Sequence, residues 1–369
     1  MTGAPVVDLL VEGTLVDVTT GSLEERTIAV DDGEIVGFGA RPAATKIEAD
    51  YVTPGLIDAH MHVEASMVTV PQYGDAVVPH GVTGVVHDPH EIANVLGADG
   101  VRAFCADADR TPLKARLTVP SSVPASGRQD SGAVLDSDAV EALLDMDEAI
   151  ALGEVMDLDG VLAGDDDIHE KIRSARERDL PVDGHVPGVT GPELHELARY
   201  LDNDHESVEL AEARAKADAG MHVYLREGST SKNLDALVDL VDAVDSRRLA
   251  LCTDERNVVD LLDSGGVNTA VRKAMKLGVD PVTAVQLATL NVAEVYDLPS
   301  GRIEPGAPAD MCCSPTSKHG LSTTLSSTGR SIPRRGRRKR PGQYCPATQS
   351  GPTTSARQTS QSNTTGPAR

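Results

Sequence analysis

The stretch PGLIDAHMHVEASM, residues 54–67, places two histidines one residue apart at the end of an apolar run. Leu56 and Ile57 give this run the character of a buried β-strand. Because side chains alternate faces along a strand, His60 and His62 would project side by side from one face. Two neutral imidazoles supply half of a site for zinc, manganese or iron. Two exposed histidines at a strand end are the alternative, so the rest of the chain has to decide.

Short β-rich stretches alternate with helical ones from this point onward. Eight such stretches with helices between them predict an α/β fold, a distorted (β/α)8 TIM-like barrel, with its active site at the carboxyl ends of the strands. The stretches are GLIDAHMH (55–62), GVTGVVHDP (81–89), ARLTVPSSVP (115–124), AIALGEVM (149–156), LPVDGHVPG (180–188), YLDNDHES (200–207), HVYLREGS (222–229) and LALCTDE (249–255).

Amphipathic helices are predicted between several of these strands. Leucines and small apolar residues recur at i, i+3, i+4 and i+7 in ELHELARYL (193–201) and in DALVDLVDAV (235–244). DPVTAVQLATLNVAEVY (280–296) begins with Asp280 at the N-cap position and Pro281 at the first helical position.

The domain organisation follows from changes in pattern. Residues 1–53 alternate apolar and polar side chains, with Asp32-Gly33 as a hairpin turn, and form an N-terminal β segment of a small, here incomplete, β-sandwich. Residues 54–300 form the barrel, and residues 301–313 begin the return to the β segment. The remaining residues, 314–369, form a separate tail.

The tail differs sharply from the rest of the chain in charge. Residues 314–369 hold ten Lys and Arg and no Asp or Glu, whereas residues 1–313 hold 24 basic and 57 acidic side chains. Its Ser, Thr, Pro and Arg, without periodic apolar residues, predict disorder. A reading frame shifted after about residue 311 explains the abrupt change, because acid-rich code read one base off yields Thr, Arg and Ser. A genuine basic arm for nucleic acid is the alternative.

Composition restricts the setting of the protein. The net charge of -23 argues against nucleic acid as a partner and suits a halophilic cytoplasm. No apolar run is long enough to span a bilayer, and the first residues lack the basic segment of a signal peptide. The five cysteines form no disulfide framework and no CxxC metal motif, which favours a reducing compartment. We therefore expect a cytoplasmic protein with no membrane partner.

Residues able to carry chemistry end six of the eight predicted strands. Each has a structural alternative: Glu154 could pair with a lysine, His185 could close a turn, His205 could be exposed, and Asp254 could cap a helix. His80, His169, His195 and His222 are interpreted as structural or surface residues. The candidates are His60, His62, His87, Asp88, His90, Glu91, Glu154, His185, His205, Glu206 and Asp254.

This mixture of imidazoles and carboxylates suits hydrolysis. Two divalent metals that share a carboxylate lower the pKa of a water between them. A nearby Asp can accept the proton and pass it to the leaving group. Amides, lactams and aminated heterocycles are substrates for such an attack.

The order HxH after PGLIDAH, then Glu, His, His and a late Asp, resembles the amidohydrolase superfamily. The closer resemblance, over roughly residues 5–311, is to the adenine deaminase family of bacteria and archaea, and DPHEIANV (88–95) is its most specific block. The other similar blocks are LGEVMDLDGVL (152–162), DGHVPGVTG (183–191), DHES (204–207), REGST (226–230) and CTDER (252–256).

The resemblance implies a site with two divalent metals, manganese first, with iron and zinc as alternatives. The reaction would be hydrolytic deamination of adenine to hypoxanthine and ammonia by metal-bound hydroxide, in purine salvage and adenine catabolism, by a possible homo-oligomer. The implied roles are His60 and His62 on one metal, His185 and His205 on the other, Glu154 as the bridge, Asp254 as metal-contacting general base, and Asp88, His90 and Glu91 beside the substrate, with Glu91 also catalytic.

Two alternatives stay open. One is another amidohydrolase, acting on a cyclic amide or an N-acyl substrate, and the other is an inactive truncated relic. The family continues beyond about residue 311, where this chain departs from it. We therefore expect an N-terminal sheet with unpaired edges, and impaired stability and activity.

Overall fold

A computed structural model describes residues 6–314 and 330–331. The predicted disordered and frameshifted tail lies outside the described residues, apart from Ser314 and the last short strand. The strands in chain order are β1 (Val7–Asp17), β2 (Ser22–Asp31), β3 (Glu34–Phe38), β4 (Ala43–Pro54), β5 (Leu56–Met61), β6 (Val82–His87), β7 (Lys114–Val119), β8 (Ala149–Val155), β9 (Val182–Gly184), β10 (Asn203–Asp204), β11 (His222–Arg226), β12 (Leu249–Cys252), β13 (Met311–Cys313) and β14 (Arg330–Ser331).

The α-helices follow the barrel strands β5 to β12. None of the helices in the described residues is long and apolar enough to cross a membrane. They are α1 (Val70–Val77), α2 (His90–Ala108), α3 (Ser137–Leu144), α4 (Leu158–Ala163), α5 (Asp166–Arg176), α6 (Gly191–Leu197), α7 (Leu210–Asp218), α8 (Leu234–Leu237), α9 (Leu240–Ala243), α10 (Val258–Ser264), α11 (Asn268–Lys276), α12 (Pro281–Gln286) and α13 (Leu290–Val295).

Eight parallel strands, β5 to β12, form the barrel as a five-stranded and a three-stranded sheet in chain order. At one seam the Asp202 N–H donates to the Val182 carbonyl over 2.9 Å. At the other, the Asp254 N–H donates to the His60 carbonyl and the His62 N–H to the Asp254 carbonyl, each over 2.8 Å. The predicted distorted (β/α)8 barrel is therefore confirmed, with each of the eight strands in its expected stretch.

The barrel core follows the two-residue period of its strands. On β11, Val223 and Leu225 pack among the surrounding helices, whereas Tyr224 between them packs inside the barrel. Tyr296, just after α13, enters the same interior, and its hydroxyl lies 3.0 Å from the Tyr224 hydroxyl. The segment around α13 therefore contributes to the packing of the barrel interior.

The helix predictions hold in position, but two segments are divided. Residues 280–296 form α12 and α13, with a break between Gln286 and Leu290. The Asp280 carboxylate accepts hydrogen bonds from the Val282 and Thr283 N–H groups, as expected of the N-cap of α12. The segment predicted as one helix over 235–244 instead forms two short helices, α8 and α9. Here the Val241 N–H bonds to the Val238 carbonyl three residues back, so the turn tightens and interrupts the α-helical ladder.

The N-terminal sheet has the order β14-β13-β4-β1-β2-β3. Asp32 and Gly33 have positive φ angles of 48° and 77° and form the predicted hairpin turn between β2 and β3. The chain returns after the barrel: β13 pairs antiparallel with β4, and the Ile35 N–H of β3 donates to the Ala307 carbonyl over 2.9 Å. Partners thus lie where we expected unpaired edges, because residues 306–313 reach both β3 and β4.

Candidate active site

The carboxyl ends of the barrel strands carry a cluster of histidines and carboxylates. His60 lies within β5, Glu154 lies within β8, and Asp254 follows β12. His185 and His205 directly follow the very short strands β9 and β10. The structure brings all nine predicted site residues into groups whose ligand atoms lie within 4.8 Å of one another, and these residues are His60, His62, Asp88, His90, Glu91, Glu154, His185, His205 and Asp254.

Glu154 lies at the centre of this cluster and is buried. Its Oε2 is 2.8 Å from Nδ1 of His185 and 3.3 Å from Nε2 of His205. Its Oε1 is 3.3 Å from Nε2 of His62 and 3.1 Å from Nδ1 of His90. One carboxylate therefore faces two separate pairs of imidazoles, one pair per oxygen.

The histidine pair that follows β5 is oriented by the main chain. His62 Nδ1 lies 2.7 Å from the Asp88 carbonyl oxygen, which can only accept, so Nδ1 carries the proton. Nε2 of His62 is then the nitrogen that faces the cluster, and it lies 3.1 Å from Nε2 of His60. At metal sites a ligating imidazole is usually oriented in this way, by a hydrogen bond from its other ring nitrogen.

Asp254 has a left-handed backbone with a φ angle of 60°, an uncommon conformation for a residue other than glycine. Its main chain is held on both sides by the hydrogen bonds to His60 and His62 that close the barrel. Its Oδ1 lies 3.2 Å from Nε2 of His62 and 3.7 Å from Nε2 of His60. The strained turn thus aims the carboxylate at the paired histidines.

Two charged residues near Asp254 were not assigned roles from the sequence. Arg226, the last residue of β11, donates from Nη1 to Oδ2 of Asp254 over 2.5 Å, and it also contacts Glu206. Its Nη2 is 3.2 Å from Oε2 of Glu206. The sequence feature that could have indicated a role for Arg226 is its position, because the seventh predicted strand, HVYLREGS (222–229), also ends in charged residues.

Asp88, His90 and Glu91, which follow β6, are buried to different extents. Asp88 is fully buried, and its Oδ2 accepts a hydrogen bond of 2.9 Å from the Glu154 N–H. His90 opens α2 and has a largely buried side chain, whereas the Glu91 side chain is 37% exposed. Oε2 of Glu91 lies 4.0 Å from Nδ1 of His62, so Glu91 stands at the mouth of the cluster.

The cluster favours the anionic forms of Glu154 and Asp254 and the neutral form of at least one imidazole. Burial alone would raise the pKa of Glu154, but hydrogen bonds from His185 and His205 lower it well below its usual value. Burial alone would likewise raise the pKa of Asp254, but the hydrogen bond with His62 lowers this pKa below its usual value. Burial lowers the pKa of His60 well below 6.5. Burial raises the pKa of Glu91 to about 8, against the influence of His62.

The donor set fits divalent transition metals. Imidazole nitrogens and carboxylate oxygens suit manganese, iron and zinc alike, so the residues do not select one of them. His60 belongs to two of the donor groups, and its ring stacks on that of His205 at 4.0 Å between centroids. The groups around His60, His205 and the Glu154 carboxylate are His60–His62–Asp254, His60–Glu154–His205 and His185–His205–Glu206.

The histidines interpreted as structural lie outside this cluster. His195 is exposed on α6, and its Nδ1 is 2.8 Å from the Gly191 carbonyl oxygen. His169 Nε2 is 2.9 Å from the Val161 carbonyl oxygen. His87 was a candidate from the sequence, but it is buried on β6 beside the ring of Phe104 and belongs to none of the donor groups.

The chain was compared with known proteins at the level of sequence. It is 42% identical over 315 residues to the adenine deaminase of Nitratidesulfovibrio vulgaris (strain DP4), which covers 84% of this chain and 55% of that protein. It is 42% identical over 302 residues to the adenine deaminase of Salinibacter ruber (strain DSM 13855 / M31), covering 82% of this chain and 54% of that protein. The chain thus spans about half the length of the curated relatives it matches.

Solved structures agree with the fold. A crystal structure of an adenine deaminase matches with a TM-score of 0.62 and 18% identity, covering 89% of this chain and 95% of that chain. A β-aspartyl dipeptidase from Fervidobacterium islandicum AW-1 matches with a TM-score of 0.64 and 15% identity, covering 88% and 95%. Residues 51–316 match the sequence model of the amidohydrolase family. The match over residues 51–316, together with the barrel fold, shows that the chain belongs to the amidohydrolase family.

Proposed function

We propose that this chain catalyses the hydrolysis of adenine to hypoxanthine and ammonia. The observation that carries the hydrolytic chemistry is the position of Glu154, whose two oxygens face different histidine pairs. The assignment of adenine draws on the 42% identity to adenine deaminases and on the DPHEIANV block at residues 88–95.

His60 and His62 would hold one divalent metal and His185 and His205 a second, with Glu154 between them. Manganese is the first choice and iron or zinc the alternatives, because the donors suit all three. When bound, such metals lower the pKa of a coordinated water and so make a nucleophile available near neutral pH. The buried carboxylates of Glu154 and Asp254 would offset the positive charge that the metals bring.

Asp254 is the proposed general base and proton shuttle, and its carboxylate would also help to hold a metal. Its Oδ1 faces the histidine pair, where the water would lie, while its Oδ2 is fixed by Arg226. A carboxylate with one anchored oxygen keeps the other in a single orientation, which is what proton transfer to a leaving amine requires. The proton taken from water would leave on ammonia.

The substrate would enter beside Glu91 and His185, the most exposed members of the cluster. A cleft of about 430 Å³ next to His185 is lined by residues of the loops after β7 and β8, among them Gln129 and Met156. His90 and Glu91 are the proposed contacts to the purine, with Glu91 also taking part in proton transfer to the ring. The buried Asp88 would act at this site by holding Glu154.

The proposed setting is purine salvage and adenine catabolism in a halophilic cytoplasm. A net charge of -23 fits solubility at high salt. The four cysteines within the described residues are buried and free, which fits a reducing compartment. Self-association into a homo-oligomer remains part of the proposal.

A substrate panel tests the proposed activity. Purified full-length chain loaded with Mn²⁺ in high salt would be given adenine, a cyclic amide and an N-acetylated amino sugar, and products would be measured by chromatography. Formation of hypoxanthine from adenine, with little turnover of the other two, supports the proposal. Preferential hydrolysis of the cyclic amide or the N-acyl compound would instead assign the chain to another amidohydrolase activity.

A further inference from the structure

The seam between β9 and β10 joins the two sheets of the barrel through a single backbone hydrogen bond, from Asp202 N–H to the Val182 carbonyl. The sheet order breaks between these two strands, which have only three and two residues. His185 directly follows β9, and His205 directly follows β10. Two proposed metal ligands therefore extend from one of the two seams in the described barrel where neighbouring strands share no continuous ladder.

Side chains replace the missing ladder at this seam. The Val186 N–H donates to Oδ1 of Asp204 over 2.8 Å, and the Gly188 N–H donates to Oε1 of Glu212 over 2.8 Å. The Gly184 N–H donates to the side-chain oxygen of Asn203 over 3.2 Å. The backbone on both sides of His185 is thus bound by side chains from β10 and α7.

A buried lysine ties these acceptors together. Lys216, on α7, is fully buried. Its Nζ lies 2.9 Å from Oδ2 of Asp204 and 2.7 Å from Oε1 of Glu212. It lies 2.9 Å from Oγ of Ser207 and also contacts the Val186 carbonyl. Four acceptors share three ammonium N–H groups, so every proton of the buried charge has a partner.

We propose that Lys216 is a positioning residue that sets the distance between His185 and His205. It bonds the residue after His185 (Val186) and the residue before His205 (Asp204) at one point, and so fixes the loops that carry both histidines. The inference rests on the proposed function, because it assigns those two histidines to one metal. The Lys216 clamp is defined here as Lys216, Asp204 and Glu212.

The clamp acts on the geometry that metal binding needs. The rings of His185 and His205 are 5.6 Å apart between centroids, and both point a nitrogen at Oε2 of Glu154. A buried ion pair is by itself weak support for stability, since apolar replacements often serve equally well. A role in ligand spacing makes a different prediction, namely a selective loss of one metal.

The test is a titration of Mn²⁺ into metal-free full-length chain, followed by electron paramagnetic resonance. The unaltered chain should bind two ions and show the spectrum of an exchange-coupled pair. Lys216→Met should weaken the binding of one ion by about 10- to 100-fold, as loss of a supporting residue does elsewhere, and should give the six-line spectrum of a single ion.

Two further variants keep the result interpretable. Lys216→Met combined with Glu212→Gln leaves the net charge of the clamp unchanged and still lacks the ammonium, so it should lose the same ion. Lys114→Met removes the ion pair with Asp310 at the amino end of β7, and this variant should still bind both ions. Two tightly bound ions in the double variant would overturn the proposal, as would a failure of both Lys216 variants to fold while Lys114→Met folds.

The same series separates this inference from the proposed activity. Two ions in the unaltered chain without deamination of adenine would reject the proposed substrate and leave the clamp comparison intact. An unaltered chain that binds no Mn²⁺ would reject the manganese site and this inference with it.

Discussion

His62 and Asp254 are joined twice, once through the main chain and once through their side chains. The His62 N–H donates to the Asp254 carbonyl over 2.8 Å, and Nε2 of His62 lies 3.2 Å from Oδ1 of Asp254. The contact that closes the barrel between β12 and β5 is therefore also the contact that assembles the candidate site. Folding of the barrel and formation of the site are one event at this position.

Asp254→Asn should abolish most of the activity and leave the fold intact. Asparagine tolerates the left-handed backbone at this position, but its amide cannot accept a proton. We expect a loss of about 10²- to 10⁴-fold in hypoxanthine formation, the usual contribution of a general base. Asp297→Asn is the matched control, because Asp297 is exposed and also has a positive φ angle, of 48°. Equal activity of the two variants would exclude Asp254 as the base.

Glu154→Gln should impair metal binding more than any change of a supporting residue. The amide keeps the shape but loses the negative charge that faces both histidine pairs. We expect Mn²⁺ affinity, measured by calorimetry, to fall beyond the roughly 100-fold that loss of an outer partner costs. Glu170→Gln, on the exposed face of α5, should bind as the unaltered chain does. Retained affinity in Glu154→Gln would contradict the bridging role.

Arg226→Met should destabilise the chain, because it leaves the buried carboxylate of Asp254 and the part-buried carboxylate of Glu206 without this cation. Breaking one side of a buried ion pair costs about 3–5 kcal/mol in the free energy of unfolding. Adding Glu206→Gln should recover part of that loss, since one uncompensated charge is then gone. Urea unfolding of the metal-free variants measures both effects. No recovery in the double variant would show that charge balance is not what Arg226 supplies.

His222 should make the fold sensitive to mild acid. Burial lowers the pKa of this histidine below 6.5, so the unfolded chain binds a proton there that the folded chain does not. The folded state therefore loses stability as pH falls below 6.5, and His222→Gln should remove that loss. Urea unfolding at pH 8 and pH 5 would show the unaltered chain losing more stability than the variant. An equal loss in both would contradict this prediction.

The barrel was predictable because its strands are short apolar stretches that end in polar residues. GLIDAHMH (55–62) and LALCTDE (249–255) lie about 190 residues apart, yet both end at the same face because parallel strands in a barrel must. The same rule predicts that Glu154, at the end of AIALGEVM (149–156), lies beside the histidines. The amidohydrolase resemblance then supplied the order of the ligands and the expected chemistry.

Long-range charge pairing was not predictable in the same way. Lys216 occupies an ordinary helical position in α7, and nothing in its neighbours indicates that its ammonium is fully buried among carboxylates. The partners of Arg226 come from two other strand ends, so the pairing appears only when the barrel closes. The return of residues 306–313 to the N-terminal sheet depends likewise on contacts between distant parts of the chain.

The most direct test of the account is an assay of adenine deamination by the purified full-length chain, loaded with Mn²⁺ in high salt. The account predicts hypoxanthine and ammonia in equal amounts, with turnover lost in Asp254→Asn and retained in Asp297→Asn. Folded chain that binds two metal ions and forms no hypoxanthine from adenine would contradict it.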